Sequence, residues 1–222
     1  MATAVTVDGT KLRLLESAGE VFAERGYRDA TVREICGRAG TNLSSVKYHF
    51  GDKERLYRAT LEYTIACSAE LYPYALAEDG ALTPHEKLRK FIGIFLRRLL
   101  DPGRPAWHGR LLVRELNEST AGFDLIAQEV RWNLIDRLTR ILRGVLGKDA
   151  GDEQLRDSAY CVIGQCTFFR HARRYLERHE PRAIHTSDDI EAIADRVYHF
   201  SLGALGASEP APRLRAKGGT RI

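Results

Sequence analysis

Thr31 to Phe50 reads TVREICGRAGTNLSSVKYHF, and two short helices joined by a glycine turn account for it. Thr31 with Glu34 three positions on is the pattern of a capping box, in which hydroxyl and carboxylate each satisfy a free backbone N–H. Behind it Val32, Ile35, Cys36 and Ala39 recur at steps of three and four, one apolar side of a helix of about two to three turns. Gly40 ends that helix, because glycine enters the left-handed backbone without a Cβ penalty. Leu43 to Phe50 predicts a second helix, with Ile35, Val46 and Phe50 available to pin the pair onto a neighbour. Ser44, Ser45, Lys47, Tyr48 and His49 then face outward. No carboxylate stands between Gly37 and Gly51, so a phosphate backbone meets donors, a ring and a cation without repulsion. Length and turn composition are those of a helix-turn-helix.

Working outward, Leu12, Leu15, Ala18, Phe22 and Ala23 place an amphipathic helix over Lys11 to Arg25, with Thr10 as N-cap and Gly26 as stop. Beyond Asp52, itself an N-cap, the helices lengthen: Lys53 to about Glu78, Pro84 to Leu100, Ala106 to Glu118, Phe123 to Leu146, Asp152 to His179 and Ser187 to Leu205. The breaks carry turn chemistry such as Asp101-Pro102-Gly103, Gly147 to Gly151 and Pro181. No stretch alternates with a period of two, so the fold class expected is all-α, about nine helices in all.

The chain has 222 residues, 44% of them hydrophobic and 29% charged, which excludes disorder, collagen and a disulfide miniprotein. Nothing approaches the roughly 18 to 20 apolar residues of a membrane span, and Met1 to Gly9 lacks the layout of a signal peptide. A cytoplasmic protein with no membrane partner is expected. The formal charge of +4 divides unevenly. Residues 1–57 hold nine basic and eight acidic groups, residues 58–207 hold 21 of each, and the tail from 208 holds four and one. Cys36, Cys67, Cys161 and Cys166 form no CxxC pair and read as reduced, buried thiols. The seven histidines include no HExxH, and no GxGxxG, GxxxxGK[ST] or GxSxG occurs. His171 and His179 sit among Arg170, Arg173, Arg174 and Arg178, a cationic surface hostile to a divalent metal. No enzyme, cofactor or metal is expected.

Ala18 to Tyr27, Ala30 to Ile35, Ala39-Gly40 and Tyr48 to Tyr57 together resemble the DNA-binding domain of TetR/AcrR-type transcriptional regulators. Leu111 to Glu115, Phe123, Ile163 to Cys166 and Phe168 to Ala172 resemble one subgroup with its own C-terminal domain type. The resemblance implies a three-helix helix-turn-helix DNA-binding domain over 10–57 after a flexible N-terminus at 1–9. A larger ligand-binding and dimerisation bundle follows over 58–207, then a disordered basic tail at 208–222. It implies a homodimer, a double-stranded DNA operator and a small-molecule effector whose binding releases the repressor. A helical ligand- or protein-binding module without sequence-specific DNA binding is the alternative. Carried over position by position, Thr31 and Arg33 touch phosphate, Thr41, Asn42, Ser44, Ser45, Lys47 and Tyr48 face the groove, and His49 and Lys53 lie on the backbone. Where Ser44 stands the family often has glycine or alanine, and where Lys47 stands an aromatic residue, so a different base preference is expected.

For the effector, Tyr72, Phe95, Trp107, His108, Arg114, Trp132 and Phe169 are the inventory from which an apolar pocket with a few polar groups could be built. Arg114-Glu115 amid leucines and valine requires partners if buried, and a solvated edge or an interhelical ion pair is expected. The resemblance places the dimer interface on the last two helices, where Tyr160, Ile163, Gly164 and Thr167, and Ile193, Val197 and Phe200, share helical faces.

Overall fold

Where apolar residues recur every three or four positions, the chain is helical. The computed structural model describes residues 9–101, 103, 105–180 and 186–207, and among them no strand occurs. The helices are α1 (Gly9–Asp29), α2 (Val32–Ala39), α3 (Leu43–His49), α4 (Lys53–Leu71), α5 (Pro84–Leu100), α6 (Trp107–Glu118), α7 (Phe123–Glu129), α8 (Arg137–Leu146), α9 (Asp152–His171), α10 (Arg173–His179) and α11 (Ser187–Ala204). A 3-10 turn covers Tyr74–Ala77, and a π-helical segment, Val130–Asp136, joins α7 to α8. With α7–α8 and α9–α10 each taken as one interrupted rod, the described residues form the nine helices expected. The expected basic tail at 208–222, all but Gly9 of the N-terminus at 1–9, and Pro181 lie outside the described residues.

Four boundaries differ from the sequence reading. Gly26 (φ 82, ψ 170) kinks α1 without ending it. α1 also begins two residues early, so Thr10 lies inside its first turn and accepts from the Arg13 guanidinium at 3.3 Å. α4 stops at Leu71, not near Glu78, because Pro73 pushes the residue before it out of the helical region (Tyr72 φ −133, ψ 73). The long helix expected to reach His179 breaks at Ala172 (φ −81, ψ 1), which redirects the chain into α10.

Two cores result. In the body α5 is the central rod, packed by α8, α9 and α11, and Leu88, Phe91, Ile92 and Leu96 are wholly buried on it. Each such apolar side chain stabilises by about 1.5 to 3 kcal/mol. Phe95 belongs to this core, as do Ile193 and Val197, which are 3% and 4% exposed where α11 lies against α5. Those two are corrected from interface to interior, because their face of α11 is already occupied by α5. In the head, Leu14, Ala18, Val21 and Phe22 of α1 bury against Ile35, Val46, Leu56 and Tyr57. This core does not close at residue 57. It continues through Leu61 to Trp107, Leu111 and Ile126 of α6 and α7. A Cβ on Gly19 would stand 2.2 Å from the Trp107 ring, so α1 and α6 approach as closely as they do only because that residue is glycine.

Candidate nucleic-acid interface and the head to body junction

The turn at 40–42 is built from local hydrogen bonds. Thr31 caps α2 by accepting from Glu34 N–H at 3.1 Å. Glu34 does not return the bond, since its carboxylate is taken by Arg38 at 3.3 Å and Arg25 at 3.7 Å. Gly40 (φ 63, ψ 38) is the left-handed C-cap, and Thr41 N–H reaches back to the Cys36 carbonyl at 3.0 Å. Asn42 Oδ1 caps α3, accepting from Ser45 N–H at 3.0 Å, Ser44 Oγ at 2.6 Å and Ser45 Oγ at 3.1 Å. Val46 and Phe50 are buried on α1, Arg13 Nε donates to the Ala39 carbonyl at 3.4 Å, and Lys11 stands 5.9 Å over the Phe50 ring.

This scaffold leaves Ser44, Lys47 and Tyr48 outward on α3, Tyr48 being 85% exposed, with Thr31 and Arg33 exposed beside them. The Thr31 hydroxyl accepts as a cap and still has its own proton to donate. His49 is half-buried, edge-on to Tyr48 at 4.9 Å. Arg38 is paired with Glu24 at 2.6 Å, and the same hydrogen bond holds the Glu24 carboxyl below its ordinary value.

Two of the expected contact residues have partners or burial within the head itself. Thr41 Oγ1 is buried without a hydrogen-bond partner, so its side chain points into the turn and away from a groove. Lys53 donates to the Arg28 carbonyl at 3.1 Å and stands 4.9 Å over the Tyr27 ring, which employs it in fastening α4 to the end of α1. Asn42 and Ser45 are occupied by the cap, leaving Ser45 half-buried.

Behind the reading head, a polar cluster joins α4 to α6. The Glu115 carboxylate, 1% exposed, accepts from Tyr57 Oη at 2.5 Å and Thr120 Oγ1 at 2.5 Å, and from the backbone N–H groups of Thr120 at 2.9 Å and Gly122 at 3.0 Å. Four donors match the roughly four lone-pair sites of a carboxylate. Burial, and then the Glu115 hydrogen bond, push the Tyr57 hydroxyl above its ordinary value. Arg58 adds a bond to the Ala121 carbonyl at 3.0 Å. Arg114 turns the other way, to Glu118 at 2.6 Å and to the carbonyls of Glu24 and Arg25 on α1, each at 3.3 Å. In place of the expected solvated edge or interhelical ion pair, Arg114 pairs within α6 with Glu118, and Arg114 and Glu115 make two separate connections, one into α1 and one into α4.

The seven effector candidates do not converge. Trp107 lies in the head core and Phe95 in the body core. Phe169 packs on the body core, and Trp132 is 61% exposed on the π segment. Tyr72, hydrogen-bonded to Asp101, borders a groove of about 490 Å³ beside α5. Of the seven, His108 and Arg114 line one cleft of about 750 Å³, bounded by α6, the α9–α10 junction and Ala23 of α1. Sequence reasoning missed its other members, chiefly Arg98, Arg110, Arg170, Arg173 and Arg174. The run from Arg170 to Arg174 is visible as a cationic surface, but its partner is more than fifty residues away on α6. Cys161, expected buried, is exposed, while Cys36 and Cys166 are buried. Among the described residues no group of His, Cys, Asp and Glu could hold a metal ion, and no helix is long and apolar enough to cross a membrane.

Residues 14–60 match the family described as bacterial regulatory proteins, tetR family. Residues 84–205, more than half of the chain, match the family described as HTH-type transcriptional dual regulator CecR, C-terminal domain. The HTH-type transcriptional dual regulator CecR of Shigella flexneri is 29% identical over 177 residues, 75% of this chain and 79% of that protein. The HTH-type transcriptional repressor KstR2 of Mycobacterium tuberculosis is 34% identical over 94 residues, covering 40% of this chain and 42% of its own. Among solved structures, a TetR-like transcriptional regulator from Rhodococcus sp. RHA1 superposes with a TM-score of 0.67 at 20% identity, covering 94% of this chain and 100% of that one. AibR in complex with isovaleryl coenzyme A and operator DNA does so with a TM-score of 0.62 at 17% identity, covering 86% and 97%. The superpositions establish the fold, and the sequence matches establish the kinship. With a helix-turn-helix head on a helical body and both family signatures in order along the chain, this protein belongs to the TetR family of bacterial transcriptional regulators, with a C-terminal domain of the CecR type.

Proposed function

We propose that the protein is a repressor that binds an operator as a homodimer and is released by a small-molecule effector. The observation that carries this reading is the outward face of α3: Ser44, Lys47 and the 85% exposed Tyr48, on a helix held by its Asn42 cap, in a stretch free of carboxylates. Thr31, Arg33, Ser44, Lys47, Tyr48 and His49 form the contact set, with Asn42 and Ser45 shaping the turn. The domains divide in function as the family implies, the head reading DNA and the body receiving the effector and the second subunit. AibR, solved with both an acyl-CoA and operator DNA, supports the pairing of ligand and operator on this fold.

The second copy docks on the outer faces of α9 and α11. Tyr160, Phe168 and Phe200 are 54%, 55% and 67% exposed there. Gly164 and Gly203 have open space where a Cβ would stand, which permits close approach of helices. Ile163 and Thr167 line the inner edge, half-buried. Two heads related by a two-fold axis read half-sites about 34 to 36 Å apart, so the operator is an approximate palindrome.

The test is selection of bound sequences from a random duplex library, followed by gel shifts over a salt series. A palindromic consensus, with Lys47→Ala weakening binding, is expected. A phosphate contact at Lys47 lowers the salt slope by about one, whereas a guanine contact relaxes one base position at a cost of about 1 to 3 kcal/mol. Failure to enrich any sequence, with DNA retained equally at every salt concentration, refutes the reading.

A further inference from the structure

The cleft of about 750 Å³ between α6, the α9–α10 junction and the end of α1 is lined by six arginines, Arg98, Arg110, Arg114, Arg170, Arg173 and Arg174, against three carboxylates, Asp101, Glu118 and Glu177. All three carboxylates are engaged, Glu118 by Arg114 at 2.6 Å, Glu177 by Arg173 at 2.7 Å, and Asp101 by the Tyr72 hydroxyl and the Gly103 N–H. Arg98 turns inward, 3.8 Å over the Tyr74 ring and bonded to the Tyr72 carbonyl at 2.8 Å. Arg170 reaches the Ala106 carbonyl at 3.3 Å. Arg110 and Arg174 are exposed and, among the described residues, hold neither a hydrogen bond nor an ion pair. Crowding like charges at helical spacing costs stability, and the break at Ala172 brings Arg170, Arg173 and Arg174 to one mouth facing α6. A concave cluster in which guanidiniums outnumber carboxylates suits planar, multiply charged oxyanions, which they bind in bidentate fashion.

Resting on the repressor reading above, we propose that this cleft is the effector site and that the effector is a small organic polyanion bearing phosphate or several carboxylate groups, gripped by Arg110, Arg170 and Arg174. The site is wired to the reading head. Arg114 on its wall bonds the Glu24 and Arg25 carbonyls, and its guanidinium lies where a Cβ on Gly26 would fall, 2.6 Å away. An anion entering the cleft competes for Arg114 with those carbonyls and with Glu118. Releasing them frees the kinked end of α1, from which α2 and α3 hang. The bound state then differs from the free state in contacts at the head, which is the differential affinity that release from DNA requires.

The experiment is calorimetric titration of the full-length protein with inorganic pyrophosphate, citrate and coenzyme A, with neutral pantetheine and adenosine as controls, followed by gel shifts on the selected operator. Saturable binding of at least one polyanion and of neither control, weakened by salt, is expected. The Arg110→Gln/Arg174→Gln double variant binds it at least about tenfold more weakly while keeping the wild-type affinity for operator. The bound polyanion lowers operator affinity of the wild-type protein and not of the double variant. Three results overturn the proposal: no polyanion binding up to about 1 mM, a range that spans effector affinities of interest; equal binding by the double variant; or a double variant weakened on operator without any ligand, which makes the cleft a DNA contact. Loss of operator binding by the wild-type protein itself, with polyanion binding intact, overturns the repressor reading and leaves the ligand site standing.

Discussion

Replacing Glu115 by Gln tests whether the connection between α4 and α6 is the polar cluster described above. The amide oxygen can keep the two backbone N–H groups of Thr120 and Gly122, but the amide nitrogen then faces Tyr57 Oη and Thr120 Oγ1, which must both turn from donors into acceptors. Bonds to a charged group are worth about 1.5 to 3 kcal/mol each and neutral ones about 0.5 to 1.5, so four bonds lose about 4 kcal/mol in gross terms. Relief from burying a charge returns several kcal/mol of effective desolvation, and a net loss of about 1 to 2 kcal/mol is expected. Glu115→Ala leaves all four donors without their acceptor and costs about 3 to 5 kcal/mol. Tyr57→Phe removes one bond and costs about 1.5 to 3 kcal/mol. Urea unfolding followed by circular dichroism, at one protein concentration because the proposed dimerisation would make stability concentration-dependent, measures each. The decisive quantity is the double-mutant cycle of Tyr57→Phe with Glu115→Gln, for which a coupling of about 1 kcal/mol is expected. Additivity within about 0.3 kcal/mol refutes the reasoning, since two groups sharing one hydrogen bond cannot contribute independently.

Gly19→Ala sets a methyl against the Trp107 ring, with its nearest atom 2.2 Å away. It should cost about 1 to 3 kcal/mol and shift tryptophan emission, and an unchanged spectrum and midpoint contradict the close packing of α1 on α6. Phe200→Asp should yield a monomer in light scattering and speed alkylation of Cys161, which is exposed on α9 beside Tyr160, whereas Cys166, its thiol pushed up to about 12 by burial, stays inert until the chain unfolds. Tyr57, Tyr63 and Tyr74 are all raised above the ordinary value of 10.0, chiefly by burial. Above that value the unfolded chain holds fewer of these protons than the folded one, so stability falls as pH rises. Tyr74→Phe, which keeps the ring beneath Arg98, should flatten this decline, and an unaltered alkaline profile refutes the assignment.

The reading head was legible because its determinants are local. Thr31, Asn42 and Asp52 cap helices through atoms two or three residues away, Gly40 is needed at the turn, and Val46 and Phe50 fall on the one face that α1 covers. The surroundings of Thr41 and Lys53 were not legible for the complementary reason, since each is engaged in space: Thr41 by burial within the turn, Lys53 by Arg28 and Tyr27. Ile193 and Val197 lie on an apolar face that suits an interface and an interior equally, and only the position of α5 decides between them.

Periodicity, caps and turn residues by themselves determined an all-helical chain, the order of its helices and an outward, carboxylate-free face on α3, because a helix is selected by contacts within about four positions. The same signals carry nothing about which helices meet. That the head's core borrows Trp107, Leu111 and Ile126, that Glu115 answers Tyr57 across 58 positions, and that Arg110 confronts Arg174 over one cleft were decided by tertiary packing alone. Burial and charge convergence depend on distances in space, and the fold sets those distances only after the chain has already chosen its helices.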